Sequence, residues 1–154
     1  MTVIAVIRPD AWNFPLLLHV LGAMLLVGSL TLAVSALALA WRDGSASLVR
    51  LGQRALLLGA LPAWVLMRAG AEWIASKEDL TDSNDAWIGI GFTTADAGIL
   101  LLVIAIVLAA FAARRAARPE GSSGGGLARA ATVLGALLVI GYLVTIWAMS
   151  AKPV

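Results

Sequence analysis

FPLLLHVLGAMLLVGSLTLAVSALALAW, from Phe14 to Trp41, is a run of 28 residues without a formal charge. At 1.5 Å of rise per residue, roughly 20 apolar residues cross the hydrocarbon core of a bilayer. In a soluble domain a helix of this length would need a polar face, and this run has none. It reads as a transmembrane helix. Outward from it, Ala130 to Ala151 also carries no charge, Ala86 to Ala113 carries only Asp96, and Ala55 to Ala75 carries only Arg68 and Glu72. The pattern predicts an all-α polytopic membrane protein, a four-transmembrane-helix bundle with helices at about 14–41, 51–75, 94–115 and 127–150. Four spans consume nearly all of the 154 residues, so a single membrane domain, 1–154, is expected.

Composition points the same way. The chain is 61% hydrophobic and 13% charged, whereas a soluble domain carries about 25% charged residues. No basic patch with interleaved aromatics is present, which argues against nucleic acid as a partner. The absence of cysteine removes disulfides, thiolate metal sites and cysteine nucleophiles. The first run is read as a retained span rather than a cleaved signal. A signal core is about 7–15 residues behind a basic segment. Here the run is far longer, and only Arg8, offset by Asp10, precedes it, although Ala38-Leu39-Ala40 fits a cleavage pattern.

Local signals place the breaks. Asn13 is a good N-cap ahead of Pro15, and Trp12 and Trp41 bracket the first run as interfacial tryptophans do. Arg42-Asp43-Gly44-Ser45 breaks the helix, and Pro62 should kink the second one. The third helix has two possible starts. Either Thr93 caps it and Asp96 completes a capping box, or it begins near Asp85 and Asp96 lies several turns in. Gly121 to Gly126 is linker-like and lacks the Lys-Ser/Thr of a phosphate loop.

The charges in the connections are sorted by sign. The first and third connections with their flanks hold Arg42, Arg50, Arg54, Arg114, Arg115, Arg118 and Arg129, against Arg8, Lys77 and Lys152 elsewhere. Positive residues favour the cytoplasmic side. The basic loops, 42–50 and 114–129, are therefore expected in the cytoplasm, with the acidic loop 76–92 and both termini outside.

The polar residues within the spans fall toward that outer side: His19, Arg68, Glu72, Asp96 and Tyr142, with Thr145 beside the last. Ionisable groups at membrane depth cost roughly 2.5–3.5 kcal/mol each on insertion scales, so they pair or line cavities. Arg68 and Glu72 are four apart and can pair. Together these five residues form a candidate polar pocket. A plainer reading stands beside each. Arg68 and Glu72 can snorkel to the interface, Asp96 can be a capping residue, His19 can bond a neighbouring helix, and Tyr142 and Trp147 can be interfacial anchors. His19 shares a helical face with Gly22, Ala23, Leu26 and Ala33, which turns it toward the bundle.

Leu18-His19-Val20-Leu21-Gly22-Ala23, followed by Val27-Gly28, resembles the first helix of copper-resistance D-like membrane proteins. Copper handling would need further His and Met clustering, from which this chain departs. The stretches Leu61 to Trp64, Met67 to Trp73, Trp87 to Phe92 and Trp147 to Pro153 resemble small four-helix integral membrane proteins of actinobacteria. That resemblance implies a multi-pass protein of a bacterial plasma membrane and brings no activity with it.

One histidine cannot supply bis-histidine haem ligation or a multi-histidine metal site, and no nucleophile motif appears. The leading expectation is a non-enzymatic membrane protein, an accessory subunit or small binding module, whose partner is the lipid bilayer, with other membrane subunits or self-association as further candidates. The alternative is a transport or redox component using the outer-leaflet pocket as a proton path, haem site or quinone site. No cofactor is assigned.

Overall fold

The computed structural model describes residues 13–77, 86–118 and 125–151. They form five α-helices and one π turn, with no strand among them: α1 (Asn13–Asp43), α2 (Ala46–Arg54), the π turn Ala55–Ala60, α3 (Leu61–Lys77), α4 (Ala86–Ala116) and α5 (Gly125–Ala151). Because α2, the π turn and α3 run on continuously, the described residues hold four helices long and apolar enough to cross a membrane.

The first break lies where the sequence places it. Gly44 takes φ +68°, its N–H reaches Ala40 O at 2.8 Å, and Ser45 caps α2 with its side chain accepting from Leu48 N. The second span is irregular next to the proline expected to kink it. Ahead of Pro62 the helix widens to a π turn, in which the Leu61 N–H bonds Leu56 O five residues back. Proline brings no N–H and its ring crowds the preceding turn, and the extra residue of the π turn relieves that crowding. Boundaries also shift. α4 starts at Ala86 and not near 94, so residues 86–92 of the expected acidic loop are helical. Likewise the second span starts at Ala46, inside the expected loop 42–50, and α4 and α5 extend into the expected loop 114–129.

The core is a seam of small residues. On α4 the buried positions are Gly91, Ala95, Gly98, Leu102, Ala105, Ala109 and Ala112. On α5 they are Ala128, Ala131, Gly135, Leu138, Tyr142, Thr145 and Ala148. Steps of three and four alternate along most of both, the spacing of left-handed supercoiled packing. Small residues let backbones approach where lipid removes the usual hydrophobic drive between helices. The largest fully buried side chains, Leu26, Leu30, Leu37, Leu56 and Leu102, fill the middle. Outward-facing positions are apolar instead of charged, among them Met24, Leu58, Leu100, Ile140 and Trp147.

α1 packs along the whole second span and against α5, and α4 packs against α5. α4 meets α2 at the Gly44 end, where Arg129 also stacks 4.8 Å over the Trp41 ring. At the opposite end α3 and α4 scarcely touch. The bundle is therefore closed at one end and parted at the other, and the parting makes the site.

Candidate functional site

Two glycines fix the wall between α1 and α3. A Cβ on Gly22 would collide with the Met67 backbone, and one on Gly70 would lie 2.5 Å from His19 N. The backbones thus touch at His19 and again one turn after it, at Gly22. This approach lets the His19 imidazole reach across, with Nδ1 3.0 Å from Met67 O. A carbonyl only accepts, so Nδ1 is the donor and carries the proton. Nε2, which carries a lone pair in the neutral ring, bonds nothing among the described residues.

The opposite wall is held by polar reach across the parting. Arg68 Nη2 is 2.8 Å from Glu72 Oε1 on its own helix and 3.2 Å from Asp96 Oδ1 on α4. The guanidinium also lies 4.7 Å from the Phe92 ring centroid. Deeper, the Trp64 indole N–H donates to Ala95 O at 3.2 Å.

Between these walls lies a cavity of about 690 Å³, within the usual size range of small-molecule sites. It draws lining from all four spans, mostly aliphatic, with His19, Arg68, Phe92 and Tyr142 as its distinctive members. Tyr142 is 5% exposed, and Gly98 leaves the room its hydroxyl occupies. Trp64 is close by, but its N–H is directed at Ala95 O, so the phenolic oxygen has no hydrogen-bond partner among the described residues. Thr145 is satisfied internally, donating to Gly141 O at 3.0 Å.

Of the five candidate residues, His19, Arg68 and Tyr142 line the cavity, while Glu72 and Asp96 grip Arg68 without lining it. The expected Arg68–Glu72 pair is present, and Asp96 joins it from the next span. The capping-box reading of Asp96 is overturned, since α4 begins at Ala86 and Asp96 lies ten residues inside it. The interfacial reading of Tyr142 also gives way, because its ring is buried; Trp147 is exposed on the outer surface. The plain reading of His19 as a bond between helices holds, and the same geometry makes it a cavity residue. Phe92, Gly70 and Gly98 were not among the candidates. The alternating three-and-four spacing of Gly91, Ala95, Gly98 and Leu102, and of Ala131, Gly135, Leu138 and Tyr142, could have shown that Tyr142 faces inward opposite small residues.

The arrangement can hold an apolar molecule and offer it the His19 ring as a hydrogen-bonding partner and the unspent hydroxyl of Tyr142. Among the described residues no group of three or more His, Asp or Glu side chains comes together as a metal site. Comparison with known protein families, with curated proteins and with solved structures finds no match to this chain, so its function is argued from the site itself.

Proposed function

We propose that this chain is a multi-pass membrane protein acting as a non-enzymatic binding module, which takes a hydrophobic small molecule from the bilayer into the cavity between its spans. The observation that carries the reading is the cavity itself: about 690 Å³, apolar, drawn from all four spans and located where α3 and α4 part. A bundle serving only as a structural anchor would gain from closing that end as it closes the other, since unfilled lining loses its packing contacts. The charge bias of the connections supports an orientation with the Gly44 end in the cytoplasm and the cavity in the outer leaflet.

The test is binding by the purified protein in mild detergent. Organic extraction should recover a lipid-soluble compound in fixed proportion to protein. Ala71 lines the cavity, and Ala71→Trp should lower that recovery severalfold while the protein stays monodisperse. A wild-type protein that carries no such compound and binds no added hydrophobic ligand would overturn the reading. Co-purification of a stoichiometric protein partner would instead favour an accessory subunit.

A further inference from the structure

The cavity's polar groups restrict what it can hold. At its rim Arg68 is already shared by two carboxylates, Glu72 and Asp96, so this cluster carries one net negative charge. Arg68, the guanidinium that lines the cavity, is already claimed, so an anionic ligand would have to compete with two carboxylates for it. That disfavours fatty acids, phospholipid headgroups with net negative charge, and haem with its two propionates. A neutral ligand fits.

His19 narrows the choice further. In the neutral imidazole Met67 O holds the proton on Nδ1, and the other ring nitrogen then accepts and does not donate. A ligand carbonyl facing it would set lone pair against lone pair, whereas a ligand hydroxyl would complete a hydrogen bond. Phe92 lines the Arg68 side of the cavity, with the guanidinium over its ring, and adds an aromatic contact for a ligand ring. Tyr142 adds a buried hydroxyl without a partner, a group that folded proteins usually satisfy with water or ligand.

Building on the binding-module reading above, we propose that the cavity binds a lipid-soluble hydroquinone, the reduced form of a quinone with an apolar tail, through a ring hydroxyl donated to His19 Nε2. The site prefers the reduced form because only that form carries the donor. The ring lies among the cavity side chains and the tail leaves through the parting between α3 and α4 toward lipid. No redox step is assigned: binding alone distinguishes the two forms.

The experiment compares a decyl-substituted benzoquinone with its hydroquinone, kept reduced under argon, by calorimetric titration of the full-length protein in detergent. One net hydrogen bond corresponds to roughly a two- to tenfold affinity difference, so the hydroquinone should bind tighter by about that factor. His19→Phe keeps an aromatic ring and removes the acceptor, and it should bring both forms to the weaker affinity. The wild-type ratio stands as a test even if that variant does not fold. Equal affinity for both forms, each weakened by Ala71→Trp, would overturn the hydroquinone assignment and leave the binding module intact. Tighter binding of the quinone, or equal binding of 1-tetradecanol and the hydroquinone, would overturn it too. Failure of every ligand to bind would remove the binding module with it.

Discussion

At the scale of single residues, the contact between α1 and α3 depends on having no side chain at two positions. Gly22 meets the Met67 backbone and Gly70 meets His19 backbone and Cβ. Gly70→Ala should therefore force the helices apart and draw His19 off Met67 O, at about 1–3 kcal/mol, a typical cost of overpacking. Gly28 is the control, since a Cβ there meets nothing within 4 Å. Gly28→Ala should be neutral or stabilising by up to about 1 kcal/mol, from the smaller backbone entropy lost on folding. Thermal unfolding in detergent, scored by loss of monodispersity, separates the two. The Arg68 cluster behaves differently because it is redundant. Glu72 and Asp96 are 54% and 64% exposed and each holds the same guanidinium, itself 22% exposed. Glu72→Ala alone should cost no more than about 1 kcal/mol, the ceiling for exposed pairs, because Asp96 retains the charge. Asp96→Ala alone should do likewise. Removing both should cost more than the two singles summed, because only then is Arg68 left without a carboxylate. Additive singles in the double-mutant comparison would show that the guanidinium finds water as readily as either partner.

At the scale of elements, the second span carries an irregularity that can be tested by deletion. A π turn is an α-helix with one residue too many. Deleting Leu58, which is exposed, should convert Ala55–Ala60 to regular helix and leave the flanking faces in register. Deleting Val103, which is also exposed, should rotate everything after it by about 100° within regular α4 and turn the Ala105, Ala109 and Ala112 seam away from α5. The Leu58 deletion should give folded protein in good yield, and the Val103 deletion should not. Equal loss would mean that the π turn is needed, for instance to seat Gly59 against Ser29. The contrast also shows what could be read in the sequence. Uninterrupted apolar runs announced the four spans, and Gly44 with Ser45 announced the first break, because length and turn chemistry are local properties. Pro62 announced an irregularity but not its form, since whether the helix ahead of a proline widens to a π turn depends on the packing of the neighbouring helices. The start of α4 was ambiguous because Ile88-Gly89-Ile90-Gly91 suits a loop and a tightly packed helix equally well.

At the scale of the whole molecule, the candidate site was half legible. Rarity of polar residues in apolar runs singled out His19, Arg68, Glu72, Asp96 and Tyr142, and all five do gather at one end. Which of them face the cavity was hidden, because that depends on α3 and α4 parting, a property of four helices at once. The orientation of the bundle rests on charge alone, and it decides which leaflet the cavity would sample. Seven arginines flank the Gly44 end and its companion connection, while the other end carries acidic residues. Because the chain has no cysteine, single introduced cysteines report without background. Ser83 lies in the acidic connection and Ser122 in the glycine-rich one. In intact cells a membrane-impermeant maleimide should label Ser83→Cys and spare Ser122→Cys, and permeabilisation should expose the second. The two sites lie on connections separated by one span, α4, so a single crossing requires them to differ. Labelling of both in intact cells would mean that α4 does not cross the membrane, whereas the reversed pattern would keep four crossings and turn the protein over. In the reversed case the cavity would open toward the inner leaflet, and the excess of arginine outside would stand against the tendency that orients most membrane proteins.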